Sequence, residues 1–139
     1  MADSNDLIPI VVVGAHLSGL PLNGQLTDPG GKLIREGRTA PDYRLFALPN
    51  TVPPKPGLIR EPGFTGPGLA VEVWALPAGA FGHFVAQIPA PLGIGKITLD
   101  DGSIVSGFLC EAHAVAGATE ITHFGGWRAF VAARSGAPS

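Results

Sequence analysis

The sequence predicts an α+β fold, a small mixed β-barrel or sheet with a few short helices. Three observations point there. Glycine (20) and proline (14) together make up about a quarter of the 139 residues, which multiplies turns and shortens elements. Hydrophobic residues nevertheless reach 45 % and charged residues only 14 %, the reverse of the balance in a disordered chain. Short β-branched runs also outnumber helical patterns, and the two alternate in no regular order. A chain of this length hides roughly two-thirds of its unfolded surface, enough for one core. Loose ends are expected at 1–7 and 134–139, with one domain over 8–133.

The elements follow in order. Residues 8–14 (IPIVVVG) are apolar on both faces, as in a central buried strand, with Pro9 tolerated near its start. A loop, AHLSGLPLNGQL, leads on toward a short helix. Residues 32–38 and 42–48 (DYRLFAL) are further strands. TVPPKPG, with three prolines in seven residues, predicts an extended polyproline-type segment. Residues 58–61 suit an edge strand and 69–76 (LAVEVWAL) a strong one. Pro77 then precedes Phe81, Phe84, Val85 and Ile88, one apolar face of a helix that Pro89 and Pro91 stop. Residues 96–100 and 103–110 flank Asp101-Gly102, a pair that supplies two positive φ angles in a hairpin turn. Ile121, Phe124, Trp127 and Phe130 recur every three residues, a helical pattern that Gly125-Gly126 threatens to split.

Charge excludes several functions. Nine Lys and Arg face eleven Asp and Glu, net −2, with no basic cluster, so nothing points to nucleic acid. The longest apolar run, residues 7–15, is far short of the roughly 18 residues of a membrane span. MADSND is acidic, unlike the start of a signal peptide, and Cys110 has no partner for a disulfide. A cytoplasmic protein is expected.

The sharpest local feature is the loop after the first strand. Gly14 and Gly19 have phosphate-loop spacing, but Leu20-Pro21 stands where Lys-Ser/Thr is required, and Gly95-Lys96 is followed by Ile97. Such a loop still offers backbone N–H groups to an anion, and its His16 is either a proton donor or acceptor or a structural turn residue. His83, His113 and His123 lack a zinc spacing, so no metal is expected. Cys110, Glu111 and His113 only superficially suggest a thiol nucleophile and its base. Glu72, amid LAVEVWAL, either faces solvent from a one-sided sheet or lines a polar cavity. Arg44 and Lys55, the latter held between prolines, are the cations suited to a carboxylate, unless they are simply solvated.

GAHLSGLPLNGQL, RTAPDYRLFALP, PPKPGL, VEVWALP, IPAPLGIG, GFLCEAHAVAGA and FGGWRAF, in this order, resemble the C-terminal domain of allophanate hydrolase over residues 8–133. The resemblance implies a gamma-glutamylcyclotransferase-like fold with a polar cavity at the first-strand loop. Full-length members carry a separate amidase domain with a Ser-Ser-Lys triad. This chain has six serines, none adjacent, and three lysines, so it lacks that signature. For the C-terminal domain the resemblance implies decarboxylation of N-carboxycarbamate, the amidase product, with His16 as general acid/base. Gly14, Ala15, Leu17, Tyr43, Arg44, Lys55 and Glu72 are the expected substrate-binding residues. The implied partners are a small carboxylate substrate and an amidase subunit or domain, with no cofactor. The alternative is a non-catalytic module that binds or supports that amidase. Cyclotransferases instead use a carboxylate base, for which Glu72 is an unaligned stand-in, and no clear match to their catalytic segment is present.

Overall fold

The computed structural model describes residues 6–136. The ends expected to be loose fall partly outside them, at 1–5 and 137–139. Leu7 already belongs to the first strand, and the last helix runs to Gly136.

Two sheets carry the fold. Strands β1 (Leu7–Val12), β2 (Lys32–Arg38), β5 (Ala70–Pro77), β6 (Leu92–Thr98) and β7 (Ile104–Cys110) form one, in the order β2-β5-β1-β7-β6. All its neighbours are antiparallel except β1 and β7. The smaller sheet is β4 (Pro56–Arg60), β3 (Tyr43–Ala47) and β8 (Thr119–Glu120), in that order and antiparallel. β1 and β5 lie inside the larger sheet and bury both faces through Ile10, Val11, Val12, Val71, Val73 and Leu76, which is why their sequences scarcely alternate. At the β1–β7 pairing Gly107 faces Val11, and a Cβ there would lie 2.7 Å from the Val11 Cβ.

The barrel expectation is corrected in one respect. The larger sheet curls until its outer strands nearly meet: Thr39 bridges Leu99, Ala40 N–H donates to Thr98 O, and Asp100 N–H donates to Arg38 O, both at 2.9 Å. That contact continues beyond the ends of β2 and β6 and does not run along them, so the sheet curls without closing.

Other expectations shift locally. The hairpin exists, but only Gly102 has positive φ (87°); Asp101 does not. Gly102 N–H donates to Leu99 O, so Asp100-Asp101 form the turn and Gly102 follows it in the left-handed region. Asp101 accepts from the Ser103 N–H and hydroxyl, which anchors that geometry. TVPPKPG bends at Val52-Pro53, where the Lys55 N–H donates to Thr51 Oγ1 at 2.9 Å; it is not one continuous extended segment. Helix α1 (Gly24–Thr27) is a single turn, and α2 (Ala78–Ala86) starts after Pro77 with Phe84 buried. The C-terminal pattern does split. Gly125 (φ 79°) ends a 3₁₀ turn over Thr122–Phe124, and α3 (Trp127–Gly136) begins beyond it. Among the described residues no helix is long and apolar enough to cross a membrane.

Tyr43 belongs to this core and not to a binding site. It is fully buried, and its hydroxyl accepts the Thr98 N–H at 2.9 Å, tying β3 to the end of β6. Tyr43→Phe leaves that amide unpaired and is expected to cost about 1–2 kcal/mol. The urea midpoint should fall with an unchanged m-value; an unmoved midpoint would show that the bond contributes nothing.

Candidate functional site

β1 ends in the loop that carries His16, and the loop is a run of tight turns. Leu17 N–H donates to Gly14 O, Leu20 N–H to Leu17 O and Leu22 N–H to Ala15 O. Ala15 and Leu17 are buried, so the loop is anchored by its apolar residues and presents His16 between them. The Asn23 amide donates to the His16 carbonyl at 2.9 Å.

The imidazole stacks on Phe108 of β7, with centroids 4.9 Å apart and an interplanar angle of 20°. Phe84 from α2 meets it in a T-shaped contact at 5.2 Å and touches Phe108 at 5.6 Å, so the three rings form one cluster. Nε2 hydrogen bonds to Gln25 Oε1 at 2.9 Å. Three elements therefore fix one ring. Burial pushes the His16 pKa below 6.5, Lys55 adds to that, and the Gln25 bond opposes it.

This ring opens onto a cleft of about 300 Å³, which Lys55, Gln25, Gln87, Val52 and Ile88 also line. Among the described residues His16 and Lys55 are its only titratable lining residues, and no carboxylate faces it. Lys55 reaches it because Gly14 has no side chain: a Cβ there would stand 2.4 Å from Pro56 Cδ. Pro56 packs directly on the loop backbone, and Lys55 immediately precedes it. A small recess behind the cleft touches Gly14, Ala15, His16, Lys55 and Pro56.

Not all the residues singled out in the sequence converge here. Arg44 lies on β3 with its guanidinium on Glu120 (2.9 Å) and Glu61 (3.0 Å), over the Phe64 ring. It is neither a solvated charge nor near His16. Glu72 is 4 % exposed, so the one-sided-sheet expectation fails: β5 is covered on both faces. With Leu17 it lines a separate cavity of about 460 Å³ against α3. The loop N–H groups expected to hold an anion are partly taken, Leu17's by Gly14 and Ser18's by Glu72. Gln25, Gln87, Phe84 and Phe108 were missed, because nothing in their local sequence separates a cleft wall from ordinary helix and strand positions.

Cys110 does not pair with a base. Burial and Glu111 push its thiol up, away from the thiolate a nucleophile needs, and His113 sits 3.6 Å from Glu111 instead. Among the described residues no group of three or more His, Cys, Asp or Glu is placed to hold a metal ion.

The model of the allophanate hydrolase C-terminal domain family matches residues 8–132. The chain belongs to that family. It is 40 % identical over 129 residues to the urea amidolyase of Lachancea kluyveri, covering 91 % of this chain but 7 % of that protein. The crystal structure of Kluyveromyces lactis allophanate hydrolase superposes with a TM-score of 0.86 at 40 % identity, over 91 % of this chain and 21 % of that one. A uropathogenic E. coli-specific protein of known structure gives 0.80 at 38 % identity, over 91 % of this chain and 96 % of its own. A gamma-glutamyl cyclotransferase, at 13 % identity and a TM-score of 0.57, shares the fold. The chain thus corresponds to a small part of the two longer relatives. The longer relatives are named a urea amidolyase and an allophanate hydrolase, and this chain matches one domain of them.

Proposed function

We propose that the His16 cleft decarboxylates N-carboxycarbamate, the product an amidase releases from allophanate. The observation that carries this reading is that a desolvated histidine and a lysine share one small cleft whose walls, among the described residues, hold no carboxylate. A small dianion needs fixed positive charge and a proton donor that works near neutral pH. Lys55 holds one carboxylate. His16, steadied by Gln25 and the two phenylalanines, hands its proton to the central nitrogen. The C–N bond then breaks, its electron pair stays on the protonated nitrogen, and CO2 leaves carbamate behind. The apolar wall of Phe84, Phe108 and Ile88 strengthens both contacts by excluding water. An amidase, as a separate subunit or a neighbouring domain, supplies the substrate.

The test generates N-carboxycarbamate from allophanate with an amidase lacking this domain and follows CO2 release with and without the purified chain. The chain is expected to accelerate release. In Lys55→Met, KM should rise about tenfold, the loss of one charge-assisted contact, with kcat within about threefold. No acceleration by the wild-type chain would overturn the proposal. An unchanged KM in Lys55→Met would remove Lys55 from the site.

A further inference from the structure

The buried carboxylate of Glu72 takes no part in the chemistry described above, yet it is closely engaged. Its Oε1 accepts from the Ser18 N–H (2.8 Å), the Ser18 hydroxyl (3.0 Å) and the Trp74 indole N–H (3.0 Å). Its Oε2 takes Arg128 Nη2 at 3.3 Å, and Arg128 Nη1 donates to Ser18 O at 2.9 Å. Ser18 is therefore held at its N–H, hydroxyl and carbonyl by two charged side chains, one from β5 and one from the first turn of α3. A buried charge in a central strand is costly unless fully paired, and an apolar residue would fill the position more cheaply. The cost is matched by one evident result: the conformation of the residue two places from His16.

The loop needs such a hold. It has no ladder partners of its own, and Gly19, with φ 79°, adopts a backbone conformation that side chains resist. Its inner half is anchored by buried Ala15 and Leu17, and its outer half through Ser18. Glu72 lines the cavity against α3 and not the His16 cleft, so it acts through the loop and not on substrate.

We infer that Glu72, with Arg128, is a positioning residue that locks the loop so that the His16 ring stays packed against the Phe84–Phe108 pair. The inference rests on His16 being the proton donor of the proposed reaction. It makes the docking of α3 part of the site's construction, because Arg128 enters with that helix.

Three variants test it, Glu72→Gln, Glu72→Leu and Arg128→Met, with two readouts: decarboxylation kinetics and the titration of His16 followed by NMR. Glutamine keeps an oxygen for the Ser18 and Trp74 donors, so kcat should stay within about threefold of wild type and the titration should not move. Leucine removes the acceptor: kcat should fall about tenfold or more with KM within about twofold, a misplaced donor and not lost binding. The His16 midpoint should rise toward 6.5 as the ring leaves the two phenylalanines; among the described residues Lys55 is the other titratable group lining that cleft, and it is unchanged in every variant. Arg128→Met, at a half-exposed side chain, should fold normally and shift both readouts in the same direction by less.

Two outcomes overturn the inference. One is a folded Glu72→Leu protein, or Arg128→Met if leucine prevents folding, with wild-type kcat and His16 titration. The other is Glu72→Gln as impaired as Glu72→Leu, since the charge itself would then matter. The titration needs no turnover. A wild-type chain without activity therefore counts against the proposed reaction, while the His16 midpoints still judge the clamp.

Discussion

Replacing His16 with glutamine is expected to lower kcat/KM for CO2 release from N-carboxycarbamate by about 10²-fold or more, the usual contribution of a positioned proton donor. Glutamine is polar and can still meet Gln25, but it has no proton to give at neutral pH. The pH dependence distinguishes this loss from a binding defect. In the proposed reaction the protonated ring is the active form, and burial and Lys55 hold its pKa below 6.5 in the free protein. kcat/KM should therefore fall as pH rises through that lowered value, and His16→Gln should show no such limb. In the complex a dianion beside the ring favours its charged form, so the corresponding limb in kcat should lie at higher pH.

Stability carries the same signature. A histidine whose folded pKa is depressed binds its proton more readily in the unfolded chain. Its contribution is complete above the unfolded value near 6.5 and is lost as pH falls through the folded one. Urea unfolding at pH 7.5 and pH 5 should show the wild type losing more stability on acidification than His16→Gln. A variant that folds normally, retains CO2 release and keeps the pH profile would remove His16 from the chemistry.

Gly14→Ala should damage both stability and binding, although glycine here is not required for an unusual backbone angle. The added methyl would stand 2.4 Å from Pro56 Cδ and 2.6 Å from Cγ, and a proline ring cannot swing aside as a flexible side chain does. Pro56 also begins β4, whose pairing with β3 holds it in place. Overpacking of this kind costs about 1–3 kcal/mol, and the relief available is to push the Lys55–Pro56 segment away from the loop. Thermal unfolding should report the first effect. The second should appear as a raised KM resembling that of Lys55→Met, with kcat less affected, because the His16 ring is held from Phe84, Phe108 and Gln25. Wild-type stability and KM in Gly14→Ala would show that the close packing of loop and proline segment is unnecessary.

Much of the architecture follows from local chemistry. IPIVVVG and LAVEVWAL become central strands because β-branched residues on both faces have to be buried on both faces. Pro77 precedes the helix over residues 78–86, Gly125 divides the C-terminal pattern, and the Asp101-Gly102 region turns a hairpin. Where local reading failed, a competing interaction prevailed. The Asp101 side chain bonds to Ser103 and moves the turn back by one residue, and the Thr51 hydroxyl captures the Lys55 N–H and bends the proline segment.

The candidate site was legible one residue at a time and not as a constellation. His16 stood out by its glycine-bounded loop and Lys55 by its flanking prolines, and both line the cleft. Arg44 looked equally suitable, since a strand cation carries no local mark of whether glutamates await it. Two do, from residues 61 and 120, brought close by strand pairing and chain return. Glu72 met Ser18 across 54 residues of sequence and Arg128 across 56, separations at which no periodicity carries information.

The sequence alone determined the fold class, the strand that launches the His16 loop, the family and the absence of the amidase signature, because each rests on composition, periodicity or contiguous motifs. The tertiary structure decided which cation shares a cleft with His16, which is neutralised elsewhere, and that the buried acid meets Ser18. Those outcomes depend on the order in which strands pair and on where a curling sheet brings distant side chains. Charge pairing at long sequence separation is set by that geometry, and the charged residues are the same whichever way it falls.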